Sequence, residues 1–340
     1  MIHREEAKDA KFLKGAEGGG FLSSLRSSRF RFILHPSSFI LLFPAVLFLA
    51  IFFFLPLARI LSLSLDLSVL TAANLERAFS VFRFTFYQAA LSTLLTFLLG
   101  LPSAILFARF DFRGKSLLRA ITAVPFMLPT VVVAAGFNAL LGPRGWVNIA
   151  LGSLLRNTQY ATLAEFQFTN TLYAILLAHV FYNTTIVIRI VGNALTHLDP
   201  KLEQAARILG ADNWRTWTQV TLPLLRAPML AAGLLVFLFD FTSFGVVLLL
   251  GGPRYATLEV EIYIQALHML NLPLAGLLSL VQLGCTLAFA ALYARFQRSA
   301  RDVPLSPRVR GEGLRVPRGA GERLLVGGVA LALALLILAP

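Results

Sequence analysis

Two kinds of residue in this sequence could do chemistry: polar side chains isolated inside apolar runs, and one polar stretch lying between such runs. Asp240 sits in LVFLFDFTSF. A carboxyl in so apolar a segment is costly unless it is paired or reaches water, and such acids by default serve a pathway. The alternative is a structural hydrogen bond to a neighbouring helix, made as a neutral acid. Thr242 and Ser243 follow, small residues that permit close helix packing. His179 and Asn183 stand at i and i+4, so on a helix they share one face. They read as a buried polar pair holding helices together, with a pathway lining as the other possibility. Glu259 and Glu261 fall between apolar runs, as part of a solvated loop or as a contact for an external protein. No hydrolytic or metal chemistry emerges. The 5 His and the single Cys are scattered, without H-E-x-x-H spacing, and no Ser within an apolar run has His and Asp partners at compatible depth. The sequence therefore points to no catalytic residue, no metal and no cofactor.

The polar stretch is residues 194–226, with LDPKLEQAARILGADNWRTWTQVTLP at its centre. Asp199 followed by Pro200 is a helix start, an N-cap carboxylate and then Pro at the first helical position. Leu202, Ala205, Ala206 and Leu209 form an i, i+3, i+4, i+7 stripe. Gly210 comes directly after and can take the left-handed conformation that ends a helix. Asp212 caps a second helix carrying Trp214, Trp217 and Val220, which is expected to stop before Leu222-Pro223. Two short amphipathic helices joined at a Gly elbow can lie on a membrane surface with their tryptophans at headgroup depth.

The elements that position these residues are apolar and long. Of the 340 residues, 57% are hydrophobic and only 14% charged, and mean hydropathy is +0.75. Apolar runs bounded by charge or Gly/Pro fall near 38–58, 85–108, 121–141, 171–192, 227–250 and 274–294, and a seventh begins near 324. About 20 residues suffice to cross a bilayer as a helix, and lipid leaves a spanning backbone no other choice. The 29 Phe suit lipid-facing surfaces. Pro125 and Pro129 must bend or break the third run.

With alternating loops, 24 of the 30 Lys and Arg fall on the side of the N-terminus, and 6 on the other: Arg59, Arg77, Arg83, Arg144, Arg156 and Arg254. The positive-inside rule then puts the N-terminus in the cytoplasm. The net charge of +13 thus reflects membrane orientation and not nucleic-acid binding. Residues 1–37 form a polar cytoplasmic segment without a signal-peptide pattern. Residues 38–298 form a six-span unit, and 299–323 a basic linker rich in Arg, Pro and Gly. Residues 322–340 resemble 38–56 in length, apolar character and closing Pro, which reads as the truncated start of a second, repeated half.

The polar stretch resembles the cytoplasmic "EAA" loop of binding-protein-dependent ABC importer permeases: Glu-Ala-Ala, a Gly after three residues, then Leu-Pro some twelve residues later. Ala205, Ala206, Gly210, Leu222 and Pro223 stand in register, while Gln204 occupies the Glu place with Glu203 just before it. FTSFGVVLLLGGPRYATLEVEIYIQAL (241–267) looks most like the thiamine branch, with the iron(III), sulfate/molybdate and polyamine branches close by. The resemblance implies an all-α integral membrane permease unit of six helices plus the start of a second repeat. It implies a bacterial or archaeal plasma (inner) membrane, two ATP-binding subunits seated on the loop, and an external substrate-binding protein. The chain has no G-x-x-x-x-G-K-[ST] phosphate loop, so ATP would be hydrolysed on the partner subunits. The competing reading is a secondary transporter or channel driven by an ion gradient, with Asp240 as coupling acid.

Overall fold

The computed structural model describes residues 36–64, 70–155, 168–252, 254–301 and 314–338. Nearly all of the N-terminal segment 1–37, and residues 302–313 of the linker 299–323, lie outside the described residues. The chain divides into two units, Met1–Arg59 and Ile60–Pro340. In the first, α1 (Pro36–Leu49) runs through a π-helical turn (Ala50–Phe54) into α2 (Leu55–Ser64), within which the first unit ends. None of Leu42–Arg59 is buried, and Phe43, Phe48, Phe52 and Phe54 are all exposed, as suits a helix surrounded by acyl chains.

The second unit is built around two helices, α3 (Ala72–Arg109) and α8 (Leu172–His197). Each starts at a threonine N-cap: the Thr71 hydroxyl accepts from the Asn74 amide, and that of Thr171 from Ala174. At 1.5 Å per residue the 38 residues of α3 reach about 57 Å, well beyond a hydrocarbon core of about 30 Å. The apolar part begins near Thr85, so the first turns, with Arg77 and Arg83, project outward. Thr85, Gln88, Ser92, Thr96, Gly100 and Ser103 form a buried stripe along α3, and it meets α8 where Ser92 bonds to His179 and Gly100 packs on Val187. Small residues let the two backbones approach closely. A Cβ at Gly100 would stand 2.8 Å from Cβ of Val187 on α8.

The third span is not one straight helix over 121–141. It comprises α4 (Lys115–Ile121), α5 (Val124–Met127), α6 (Thr130–Leu141) and α7 (Trp146–Leu155), and its two limbs turn by 109°. Pro125 lies in the first turn of α5, and Pro129, extended at ψ 139°, N-caps α6. Neither has an amide to continue a ladder, so the chain turns there.

The fifth span also departs from expectation. Asp212 caps α10 (Asn213–Thr216) as expected, but the helix does not stop before Leu222-Pro223. It passes through a π-helical turn (Trp217–Thr221) into α11 (Leu222–Phe241), and Asn213–Phe241 is one apolar rod. The Leu222 amide bonds to the Trp217 carbonyl, the wider π register, which accommodates the ring of Pro223 without breaking the rod. The rod ends at Phe241, short of the expected residue 250, and after a break α12 (Gly245–Leu250) runs separately.

Outside these lie α13 (Leu258–Tyr263), α14 (Leu272–Arg301) and α15 (Ala320–Leu338). Phe237 and Phe241 of α11 pack on Phe289 of α14 at ring distances of 4.9 and 5.3 Å. Helix α15 packs on the second unit through Val326, against Leu106 and Phe110, and through Leu333, against Phe107 and Ile188. Among the described residues, six helices are long and apolar enough to cross a membrane, or seven if the bent pair is counted as one span.

Candidate functional site: a clamped loop and a buried polar network

The polar loop forms a discrete helix, α9 (Pro200–Ile208), in front of the α10–α11 rod. The Asp199 carboxylate accepts from the Lys201 amide at 2.9 Å and caps it. At the other end the Gly210 amide bonds to the Arg207 carbonyl and the Ala211 amide to that of Ala206, with Gly210 at φ +88°. That pair of bonds is a Schellman motif, and it needs a left-handed residue where Gly210 stands. Leu209 and Ile208 at its tip are 87% and 86% exposed, and Leu202 is exposed beside Ala205 and Gln204. Ala206 is half-buried. An apolar tip on a polar loop is a surface that fits another molecule.

Glu203 holds the helix from behind. Both of its oxygens accept from the Arg109 guanidinium, one from Nη1 at 3.2 Å, and Oε1 also accepts from the Thr221 hydroxyl at 2.7 Å. The Arg109 guanidinium lies 5.7 Å from the Trp217 ring centre. Burial works against the carboxylate, yet the Thr221 hydroxyl, Arg109 and Arg207 outweigh it and hold Glu203 below its usual range. One carboxylate thus ties α9 to the end of α3 and the start of α11. Arg109 and Thr221 were not apparent in the sequence, and no spacing marks them. Leu222 and Pro223 lie away from this clamp, lining a groove of about 870 Å3 between α3 and α11 with Phe97 and Arg226. Trp214 is 72% exposed.

The second cluster lies deep between helices. Asp240, His179 and Asn183 are brought together, all buried. The Asn183 amide donates to Asp240 Oδ1 at 2.7 Å, and His179 Nδ1 stands 3.4 Å from the same oxygen. His179 bridges Ser92 at 3.0 Å and Ser243 at 2.8 Å. Gln88 donates to the Asp240 backbone carbonyl at 2.8 Å, a group left without an intrahelical partner by the end of α11. Thr242 stands apart, its hydroxyl bonded to the Leu238 carbonyl. Among the described residues, Asp240 Oδ2 and Gln88 Oε1 have no hydrogen-bond partner. The network joins α3, α8 and the break after α11. Gln88 and Ser92 had a legible signal, the polar stripe that repeats at helical spacing along α3.

Glu261 is no part of a solvated loop: it is buried on α13, with Oε1 2.7 Å from Arg77 Nε and 2.8 Å from the Gln265 amide. Glu259 is partly buried and accepts from Gln282 at 3.3 Å.

A family model described as binding-protein-dependent transport system inner membrane component matches residues 96–302, which include α9, its clamp and most of the buried network. The chain belongs to this family. Among curated permeases, the thiamine transport system permease protein ThiP of Escherichia coli (strain K12) is 31% identical over 262 residues, 76% of this chain and 47% of that one. The molybdenum transport system permease protein ModB of Azotobacter vinelandii is 31% identical over 191 residues, 55% of this chain and 80% of that one. The chain spans about half the length of the thiamine permeases it matches. A solved bacterial ABC transporter involved in the import of the acidic polysaccharide alginate has a subunit that superposes with a TM-score of 0.60 at 17% identity, covering 77% of this chain and 94% of that one. Its likeness shows an all-α membrane fold, and the family match makes the chain a multi-pass inner-membrane component.

Proposed function

We propose that this chain is the membrane-spanning permease of an ABC importer, with α9 the coupling helix seated on a separate ATP-hydrolysing subunit. One observation carries the reading. Helix α9 is fixed from behind by Glu203 while Leu202, Ile208 and Leu209 face outward, an apolar tip on a braced support. A displacement imposed on that tip passes through Glu203 to α3 and α11 together. Gln204, Ala205, Ala206 and Gly210 belong to the partner-facing side, and Leu222 and Pro223 to the start of the moving rod. The family match favours this reading over an ion-driven transporter. In the present reading Asp240, His179, Asn183 and Ser243 hold the break after α11 in shape and do not line an open path, and Thr242 completes the turn.

The assembly would hold two ATPase subunits and an external substrate-binding protein, and this chain alone would hydrolyse no ATP. The N-terminus would be cytoplasmic, so a reporter after Ala300 should be inside and one within 251–272 outside. Residues 38–298 would form one half of the permease and α15 the start of the next. The substrate reading is thiamine, after the curated relatives, with molybdate next. The deciding experiment co-expresses the chain with its ATPase and binding protein, and follows ATP-driven uptake of labelled thiamine and molybdate into proteoliposomes. Uptake that ignores ATP and follows an ion gradient would overturn the proposal.

A further inference from the structure

The side of the membrane opposite α9 holds few cations, as the positive-inside rule requires. Of its 6 Lys and Arg, three converge on one cavity of about 820 Å3: Arg77, Arg83 and Arg254. They come from positions far apart in sequence, two on the outward projection of α3 and one after α12. Phe84 and Tyr87 line the same cavity. Among the described residues Glu261 is the one carboxylate lining it, and that group is already taken by Arg77 and Gln265. Among the described residues, Arg83 and Arg254 have no carboxylate partner, although Arg254 lies 5.8 Å from the Tyr255 ring centre. Among the described residues the cup therefore carries uncompensated positive charge, and Arg83 and Arg254 are both exposed. Arg77 and Arg109 are 32 residues apart on α3, about 48 Å along the axis at 1.5 Å per residue.

We infer that the Arg77–Arg83–Arg254 cup is the docking point for acidic side chains of the external binding protein, an inference that rests on the function proposed above. Charge decides the sign of the occupant. Exposure decides its kind: in water an isolated small anion gains little from exposed arginines. A protein surface can present several carboxylates at once to guanidinium groups held several residues apart, and can lay apolar atoms on Phe84 and Tyr87. Aromatic residues and Arg are the side chains enriched at such interfaces. Charge pairs at the rim of an interface act mainly on encounter rate and salt dependence.

The test uses the reconstituted complex of permease, ATPase and binding protein, and titrates the binding protein against ATP turnover and uptake. In the Arg83→Glu/Arg254→Glu double variant, the concentration giving half-maximal stimulation should rise about tenfold, the size of two lost rim ion pairs. The steep salt dependence of the wild type should flatten with it. Arg144→Glu, an equally exposed external arginine outside the cup, should leave that concentration unchanged. A double variant with wild-type half-maximal concentration and salt dependence overturns the docking inference alone. No stimulation of the wild type by any binding protein overturns the proposed function, and this inference with it. A third result assigns the cup to a small anion and also overturns docking: inhibition of uptake by inorganic phosphate beyond that of chloride at equal ionic strength, abolished in the double variant.

Discussion

The guanidinium of Arg109, the last residue of α3, closes on the carboxylate of Glu203, 94 positions away on α9. Side-chain exposures of 24% and 21% put the pair between a surface ion pair and a buried one. Its strength depends on pH with a definite sign. Because the folded state holds Glu203 below its usual range, the pair's stabilisation is fully present above the free glutamate value, about 4.3. It disappears as acidification protonates the folded carboxylate. Glu203→Gln should therefore be less stable than the wild type by about 1 kcal/mol at neutral pH. The gap should shrink once pH falls below about 4.3. Thermal unfolding of the purified permease in detergent at both pH values checks this, and a gap that grows on acidification would contradict it.

Gly210 separates a partner-docking loop from a membrane anchor. No atom lies within 4 Å of the Cβ it lacks, so a substitution there acts through backbone strain alone. Ala costs about 1 kcal/mol at φ +88° and a β-branched residue more. Gly210→Val should leave expression and membrane insertion intact while weakening co-purification of the ATPase subunit and abolishing ATP-driven uptake. If α9 only anchors on lipid, Gly210→Val is tolerated and the Trp214→Ala/Trp217→Ala pair is the damaging change.

Packing between α3 and α8 should be intolerant at one point. The added Cβ of Gly100→Val would meet Val187 at 2.8 Å with both backbones committed, an overpacking cost of about 1–3 kcal/mol. Gly284 on α14 has nothing within 4 Å of its missing Cβ, so Gly284→Ala should be neutral or stabilising by about 0.5 kcal/mol. Melting temperatures of the two purified variants check the contrast, and equal losses would place the α3–α8 contact elsewhere.

Asp240 distinguishes a structural acid from a coupling acid. Asp240→Asn keeps a carbonyl to accept from Asn183, and interhelical hydrogen bonds in membranes average about 0.6 kcal/mol, so the protein should fold. Asp240→Ala leaves Asn183 and His179 buried without their partner, at about 1–3 kcal/mol. ATP-driven uptake should survive in Asp240→Asn and fall with stability in Asp240→Ala. A well-folded Asp240→Asn permease without any uptake would return Asp240 to the pathway.

What was legible in the sequence was what neighbouring residues decide. Asp199-Pro200, the α9 stripe and Gly210 specify a helix, its start and its stop within a dozen positions, and the structure contains that helix. Long apolar runs likewise specify spans. The partners of Glu203 were not legible, because Arg109 and Thr221 are brought to it by tertiary packing. Leu222-Pro223 misled for a related reason: Pro ends a helix in an α register, and the preceding π-helical turn, invisible in residue type, removes the conflict. The ends of the third and fifth spans moved where Pro129 and the Thr242–Phe244 break redirect the chain.

Helix α3 carries Arg77 near its first turns and Arg109 at its last residue, with Pro102 as the one proline inside it. A helix resists compression along its axis far more than it resists bending, so its two ends keep step. In the proposed importer, an axial shift at the Arg77–Glu261 pair would be carried toward the Arg109–Glu203 pair by α3 itself. On the function proposed above, the two ends of this one helix would stand in mechanical series, and Pro102 marks the place where that series can flex.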